Sequence, residues 1–168
     1  MIYFTSDTHF GHKNIITFCN RPYSSTNEMD EELISGWNAS VKQDDIIYHL
    51  GDVAFAKAPR IQEIIGRLNG QKYLIRGNHD KLSNTKFEEF GFIEVHKSLT
   101  LALEDVKVTL EHIPKLDIRG VQLCGHVHND WWIKNNPWGM NINVGVDQWD
   151  YLPVSSTTIL EIIKHNGL

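Results

Sequence analysis

The sequence predicts an α/β protein made of two packed β-sheets flanked by helices, and three observations carry that prediction. Short apolar runs alternate with amphipathic helical patterns in the first half, which argues for βαβ units and a parallel sheet. The second half changes to a succession of strand-like runs. The 168 residues, 41% hydrophobic and 22% charged, suit one globular domain able to build its own core without disulfides or a structural metal.

Ile2–Thr5 is a short apolar, β-branched run that ends at Ser6-Asp7-Thr8-His9. It reads as a buried strand feeding polar residues into the loop at its C-terminal end, where open α/β sheets place their sites. Residues 27–41 predict a helix with Thr26 or Asn27 as N-cap, acidic residues in its first turn, and Met29, Leu33, Trp37 and Val41 on one face. Residues 45–50 form a second strand that ends at Gly51-Asp52. A second helix follows, with Pro59 in its first turn, Ile61, Ile64, Ile65 and Leu68 on its buried face, and Gly70 at its stop. Residues 72–75 are a third strand, running into Arg76-Gly77-Asn78-His79-Asp80. Beyond it, Phe92–His96 and residues 99–103, 106–110, 121–124, 141–144 and 157–163 all read as strands, with Glu104-Asp105 as a tight turn. No second helix-rich half is expected. Residues 129–139 stand apart, a polar loop carrying Trp131, Trp132, Pro137 and Trp138.

A net charge of −5 gives no global attraction to nucleic acid or to an anionic membrane, and no long Lys/Arg run supplies a track for a polymeric backbone. Cys19 and Cys124 form no CxxC and are expected to be two reduced thiols packed as small hydrophobes. The N-terminal residues lack the basic and apolar regions of a signal peptide, and no run approaches the roughly 20 apolar residues of a bilayer crossing. The expected compartment is the cytoplasm.

Five segments place metal-ligand residue types directly after predicted strands: Asp7-Thr8-His9, Gly51-Asp52, Gly77-Asn78-His79-Asp80, Glu111-His112 and Gly125-His126-Val127-His128. Singly, each is a common accident, since a strand-end Asp is more often a turn cap than a ligand. Together, Glu111 left aside, they supply three carboxylates, four ligand histidines, one asparagine and a further histidine. Imidazole with carboxylate oxygen suits borderline divalent ions (Mn, Fe, Co, Ni or Zn), and the lack of thiolate argues against a structural zinc site. Seven ligands exceed the need of one tetrahedral ion. They fit two ions sharing a carboxylate, an arrangement that clamps in-line phosphoryl displacement. Two dications outweigh the ligand carboxylates, so such a pocket attracts phosphate despite the acidic chain.

In order and type, these segments resemble the five signature motifs of the calcineurin-like metallophosphoesterase family, from Asp7 to His128, about three quarters of the chain. The extended forms Thr5-Ser6-Asp7-Thr8-His9-Phe10-Gly11-His12 and Asn143-Val144-Gly145-Val146-Asp147 further resemble a small single-domain subgroup of bacteria and phages. The fourth motif departs in carrying Glu111 where many members have a small residue. The resemblance implies a metallophosphoesterase-type α/β/β/α sandwich with two mixed sheets, one domain and no cap domain. It implies that Asp7, His9 and His128 hold one divalent ion and Asn78, His112 and His126 the other, with Asp52 bridging and manganese foremost among the candidate ions. It implies a bridging hydroxide as nucleophile, His79 as the acid that assists the leaving group, and Asp80 as the residue that orients its ring. The implied substrates are small phosphodiesters or phosphomonoesters, Asn78 also meeting the substrate.

Other residues admit two readings each. His12 and Arg21 either contact substrate phosphate or are a surface histidine and a solvated arginine. Arg76 either steadies the third loop or reaches a phosphate, and Asp147 is either a carboxylate partner behind a ligand histidine or a turn former. The tryptophan loop either walls the pocket and stacks on an aromatic group or caps a sheet edge. His49 is expected as a strand residue beneath the site, and His96 and His165 at sheet or surface positions. Two other functions are open: a non-catalytic interaction module, as the family fold serves in a retromer subunit, and a nuclease.

Overall fold

The computed structural model describes residues 1–167. In chain order its elements begin with β1 (Ile2–Thr5), α1 (Lys13–Phe18), α2 (Thr26–Ser40), β2 (Ile46–His49), α3 (Ala58–Arg67), β3 (Gln71–Ile75) and α4 (Asn84–Phe90). They continue with β4 (Phe92–His96), β5 (Ser98–Leu103), β6 (Val106–Glu111), β7 (Gly120–Cys124), β8 (Ile133–Asn136), β9 (Gly139–Asn143), β10 (Val154–Ser155) and α5 (Ser156–His165). A 3-10 turn, Val146–Gln148, precedes β10.

Two mixed five-stranded sheets, flanked by helices, make the fold. The first has the order β10-β1-β2-β3-β4, with β1 to β4 parallel and β10 antiparallel at the edge. The second has the order β5-β6-β7-β9-β8, with β6, β7 and β9 parallel and the two outer strands antiparallel. Strand periodicity sorts the core into two layers. Ile47 and Leu74 face the helices, where they meet Met29, Leu33 and Trp37 of α2, Ile61, Ile64 and Ile65 of α3, and Phe87 and Phe90 of α4. Phe4 and Ile75 face the other way, onto Leu110, Leu123 and Ile142 of the second sheet and Ile159 and Ile163 of α5. Each such buried side chain contributes about 1.5–3 kcal/mol of transfer free energy, so both layers hold the sheet ends rigidly.

The outward face of the second sheet carries buried polar residues. Gln122 accepts from the Lys115 amide at 2.9 Å, Asn141 donates to the Lys115 carbonyl at 2.9 Å, and Asn143 donates to the His128 carbonyl at 2.7 Å. Loop backbone groups thereby satisfy the amides of Gln122 and Asn143 and the Nδ2 of Asn141, which would otherwise be costly to bury, while Asn141 Oδ1 has no partner.

Several expectations need correction. Residues 157–163 are not a strand but most of α5. The run is β-branched, but its buried positions Ile159, Leu160 and Ile163 follow helical spacing, and Ser155 caps the Thr158 amide. The α2 cap is Ser25, one residue before the expected pair; it accepts from the Glu28 amide while Glu28 reaches back to the Ser24 amide. Periodicity predicts neither α1 nor α4, since 6 and 7 residues are too few for it to register. Residues 133–136, inside the expected polar loop, pair with β9 as an edge strand. Cys19 and Cys124 are buried free thiols, as expected.

Candidate active site

The parallel strands β1, β2 and β3 end side by side, so the residues that follow them, Asp7, Asp52 and Asn78, emerge at one edge of the first sheet. Strands β6, β7 and β9 do the same for His112, His126, His128 and Asp147. Backbone hydrogen bonds stitch these loops together: Asp7 N to Gly51 O at 3.0 Å, His9 N to Asp52 O at 3.1 Å, Gly125 N to His112 O at 3.0 Å, and Val146 N to Ser6 O at 3.0 Å. Seven candidate ligands scattered over 122 residues thereby converge.

The loops achieve this at a cost in backbone strain. Asp7 (φ 57°), His9 (50°), Asp52 (58°), His126 (73°) and His128 (44°) all lie in the left-handed region, which costs about 1–3 kcal/mol for a non-glycine residue and concentrates at functional sites. Two glycines permit the approach. A Cβ on Gly77 would sit 2.1 Å from Asp52 Oδ1, and one on Gly125 2.3 Å from Asp7 Oδ2.

Asp7 and His9 carry the least satisfied groups in the cluster. Asp7 Oδ1 and both ring nitrogens of His9 are buried without a hydrogen-bond partner, each such group costing about 1–3 kcal/mol. His9 Nε2 and His128 Nε2 each lie 3.9 Å from Asp7 Oδ1. Burial pushes the Asp7 carboxyl up and depresses the His9 imidazole to a pKa of about 3, leaving His9 neutral with a free lone pair. Unpartnered oxygen and nitrogen donors aimed at one point are what a divalent cation satisfies, so Asp7, His9 and His128 fit a metal site.

Asp52 uses its two oxygens differently. Oδ1 accepts the His79 amide at 2.8 Å, and Oδ2 lies 3.6 Å from His9 Nε2 and 3.4 Å from His112 Nε2. Burial raises this carboxyl, but His112's hydrogen bond and charge and the His79 amide outweigh it and hold the pKa well below the carboxylate range. His112 bonds its Nδ1 to the Leu50 carbonyl at 2.7 Å, which turns Nε2 toward Asn78 Oδ1 at 2.9 Å; His126 Nδ1 meets the same oxygen at 3.0 Å. Asn78, His112 and His126 thus gather beside Asp52, whose Oδ2 faces both His9 and His112. Glu111 instead pairs with Lys115 at 2.6 Å.

Asp80 does not orient the His79 ring. Its carboxylate accepts three backbone amides, from Gly77 at 2.7 Å and from Asp52 and Val53 at 3.0 Å each. Its role is to lock the third loop onto the second. The exposed His79 ring instead stands in the wall of a cavity of about 480 Å³, shared with His9, His12, His126, His128 and Phe55. His12 belongs to this wall rather than to open surface, its ring centre 5.5 Å from His9 and 4.5 Å from Phe55.

Arg21 is neither solvated nor turned to substrate. Its side chain is fully buried; Nε and one terminal nitrogen grip Asp147 at 2.8 and 3.0 Å, and the guanidinium also donates to the carbonyls of Thr8 at 2.9 Å and Asp7 at 2.7 Å. Asp147 in turn bonds His128 Nδ1 at 2.9 Å, fixing Nε2 toward Asp7. Burial disfavours a charged His128 ring, but Asp147 with Cys19 and Asp7 overrides it and pushes the pKa up to about 10. Asp147 is thus the carboxylate partner behind a ligand histidine, one of its two expected readings; its pairing with Arg21 escapes sequence reading because 126 residues separate them and a turn arginine carries no periodic signal. Arg76 steadies the third loop, bonding Asn84 at 2.7 Å and the Asp80 carbonyl. His49 lies beneath the site as expected, bonded to Thr8 Oγ1 at 2.9 Å. The tryptophans stay out of the cavity wall; Trp132 packs on Trp149 with ring centres 5.6 Å apart.

A family model described as calcineurin-like phosphoesterase matches residues 1–160. An uncharacterized protein of Methanocaldococcus jannaschii is 39% identical over 97% of this chain and 91% of its own length. The gene 66 protein of Mycobacterium phage L5 is 26% identical over 97% of this chain and 94% of its own. Among solved structures, a protein of unknown function from Aquifex aeolicus superposes with a TM-score of 0.75 at 26% identity, covering 96% of this chain and 98% of that one.

Proposed function

Because this chain belongs to the calcineurin-like phosphoesterase family, we propose that it is a metal-dependent hydrolase cleaving small phosphodiesters or phosphomonoesters. The observation that supports this best is the set of buried, unpartnered donors, Asp7 Oδ1 and the His9 nitrogens, facing His128 and Asp52.

In this reading Asp7, His9 and His128 would hold one divalent ion, Asn78, His112 and His126 a second, and Asp52 would serve both; manganese is the expected occupant. Two cations so bound would neutralise phosphoryl charge and acidify a water toward its nucleophilic form. The chain's own residues supply the rest. Asp147 and the Leu50 carbonyl fix the ring tautomers of His128 and His112. Asp52 Oδ1 pins the His79 amide, so the His79 ring keeps a set distance from the donor cluster. His79 then gives its ring proton to the departing alcohol oxygen, as a general acid within reach of the leaving group does.

The test is to strip the protein with chelator, measure bound metal after readdition of Mn²⁺, and assay paired aryl monoester and diester substrates. Two ions per chain with restored hydrolysis is the expected result. Two ions without hydrolysis of either ester would turn the reading toward a binding scaffold, and failure to hold two ions would overturn it.

A further inference from the structure

A second cavity of about 370 Å³ adjoins the one that holds the candidate ligands, and His79 and Phe55 line both. Its remaining wall is mostly apolar, from Ala54, Ile61, Leu82 and Phe87, with Lys57 and Lys81 exposed at the rim. Asp80 also reaches it, but backbone amides already take up that carboxylate. The size falls within the roughly 300–1,000 Å³ of small-molecule sites. Phe55 is 53% exposed where the two cavities meet, with its ring centre 6.2 Å from His79 and 4.5 Å from His12.

The proposed hydrolysis, on which this inference rests, puts the departing oxygen at the His79 ring with the phosphoryl group on the ligand side. The group attached to that oxygen then projects past His79, away from the histidine cluster. We propose that the second cavity is the leaving-group subsite and that it takes the ring of an aromatic alcohol, flanked by Phe55 and seated against Ile61, Leu82 and Phe87. A water oxygen forms the new P–O bond, and the P–O bond to the aromatic alcohol breaks with its electron pair going to the alcohol oxygen. That oxygen takes the His79 proton, the water's proton passes to solvent, and solvent returns a proton to His79. A ring on apolar walls gains area that a methyl group cannot, so aromatic esters are selected over small alkyl ones.

The probes are phenylphosphonate and methylphosphonate, non-hydrolysable and differing only in the group to be seated. Their affinities for the manganese-loaded full chain are measured by calorimetry. Phenylphosphonate is expected to bind at least about tenfold tighter, as burial of a ring rather than a methyl implies. Phe55→Ala and Leu82→Ala should each erase most of that preference. Phe18→Ala, which alters only the ligand-side cavity, should keep it. Equal affinities for the two probes, no binding of either, or loss of preference in Phe18→Ala with retention in Leu82→Ala would overturn the proposal. Ring preference without hydrolysis of any ester would uphold the subsite and sink the hydrolytic reading; hydrolysis without ring preference would do the reverse.

Discussion

Arg21→Met tests whether the buried clamp on Asp147 holds the site together. Arg21 has no exposed side-chain surface and Asp147 is 2% exposed, and the arginine makes two bonds to that carboxylate and one to each of the Thr8 and Asp7 carbonyls. Methionine keeps much of the volume but removes the charge, leaving the carboxylate with His128 alone. Breaking a buried ion pair from one side costs about 3–5 kcal/mol. At roughly 2 kcal/mol per molar urea, the unfolding midpoint of the metal-free protein should fall by about 2 M. Adding Asp147→Asn should recover at least about 1 kcal/mol relative to additivity, because the uncompensated charge is gone. Arg21→Met alone should also weaken metal binding about 10- to 100-fold, since Asp147 without its clamp holds His128 less firmly. A stability loss below about 1 kcal/mol would show that solvent reaches the pair and that the clamp argument is wrong.

The remaining predictions concern catalysis, metal retention and acid stability. His79→Ala should bind both ions yet lose about 10²- to 10⁴-fold in turnover; near wild-type turnover in a steady-state assay would remove His79 from the reaction. Asp52→Asn should lose metal under mild chelation, and a variant that retained two ions tightly would show that Oδ2 is not shared. His49 receives the Gly51 amide on Nδ1 at 3.2 Å and bonds Thr8 Oγ1 through Nε2. The threonine hydroxyl itself donates to the Val53 carbonyl. Both ring nitrogens are therefore committed to the neutral form, and burial lowers the pKa to about 3. Its folded value lies below the unfolded one of about 6.5, so the contribution to stability is complete above that pH and is lost as pH falls toward 3. Between pH 7 and 4.5 the metal-free wild type should lose about 2–3 kcal/mol more than His49→Gln in urea titrations; parallel pH profiles would contradict this.

How much was legible varies from residue to residue. The donors Asp7, Asp52 and Asn78 could be read because each follows an apolar run, and parallel strands must release their last residues at one edge. Strand β4 could be read, but not that it pairs in the first sheet beside β3. The corrections for Asp80 and Arg21 share a cause: the partners of a side chain in a loop are set by other loops, and no local pattern encodes them.

The sequence by itself determined the α/β alternation, most strands, the helix faces of α2 and α3, and which residue types stand at the strand ends, because these depend on periodicity and composition within a few residues. Only the tertiary structure decided that residues 157–163 coil into α5, that Asp80 locks backbone amides, that Arg21 and Asp147 brace His128, and that an apolar cavity lies behind His79. Each depends on groups distant in the chain meeting where water is excluded, and the free energy of that meeting overrides local preference.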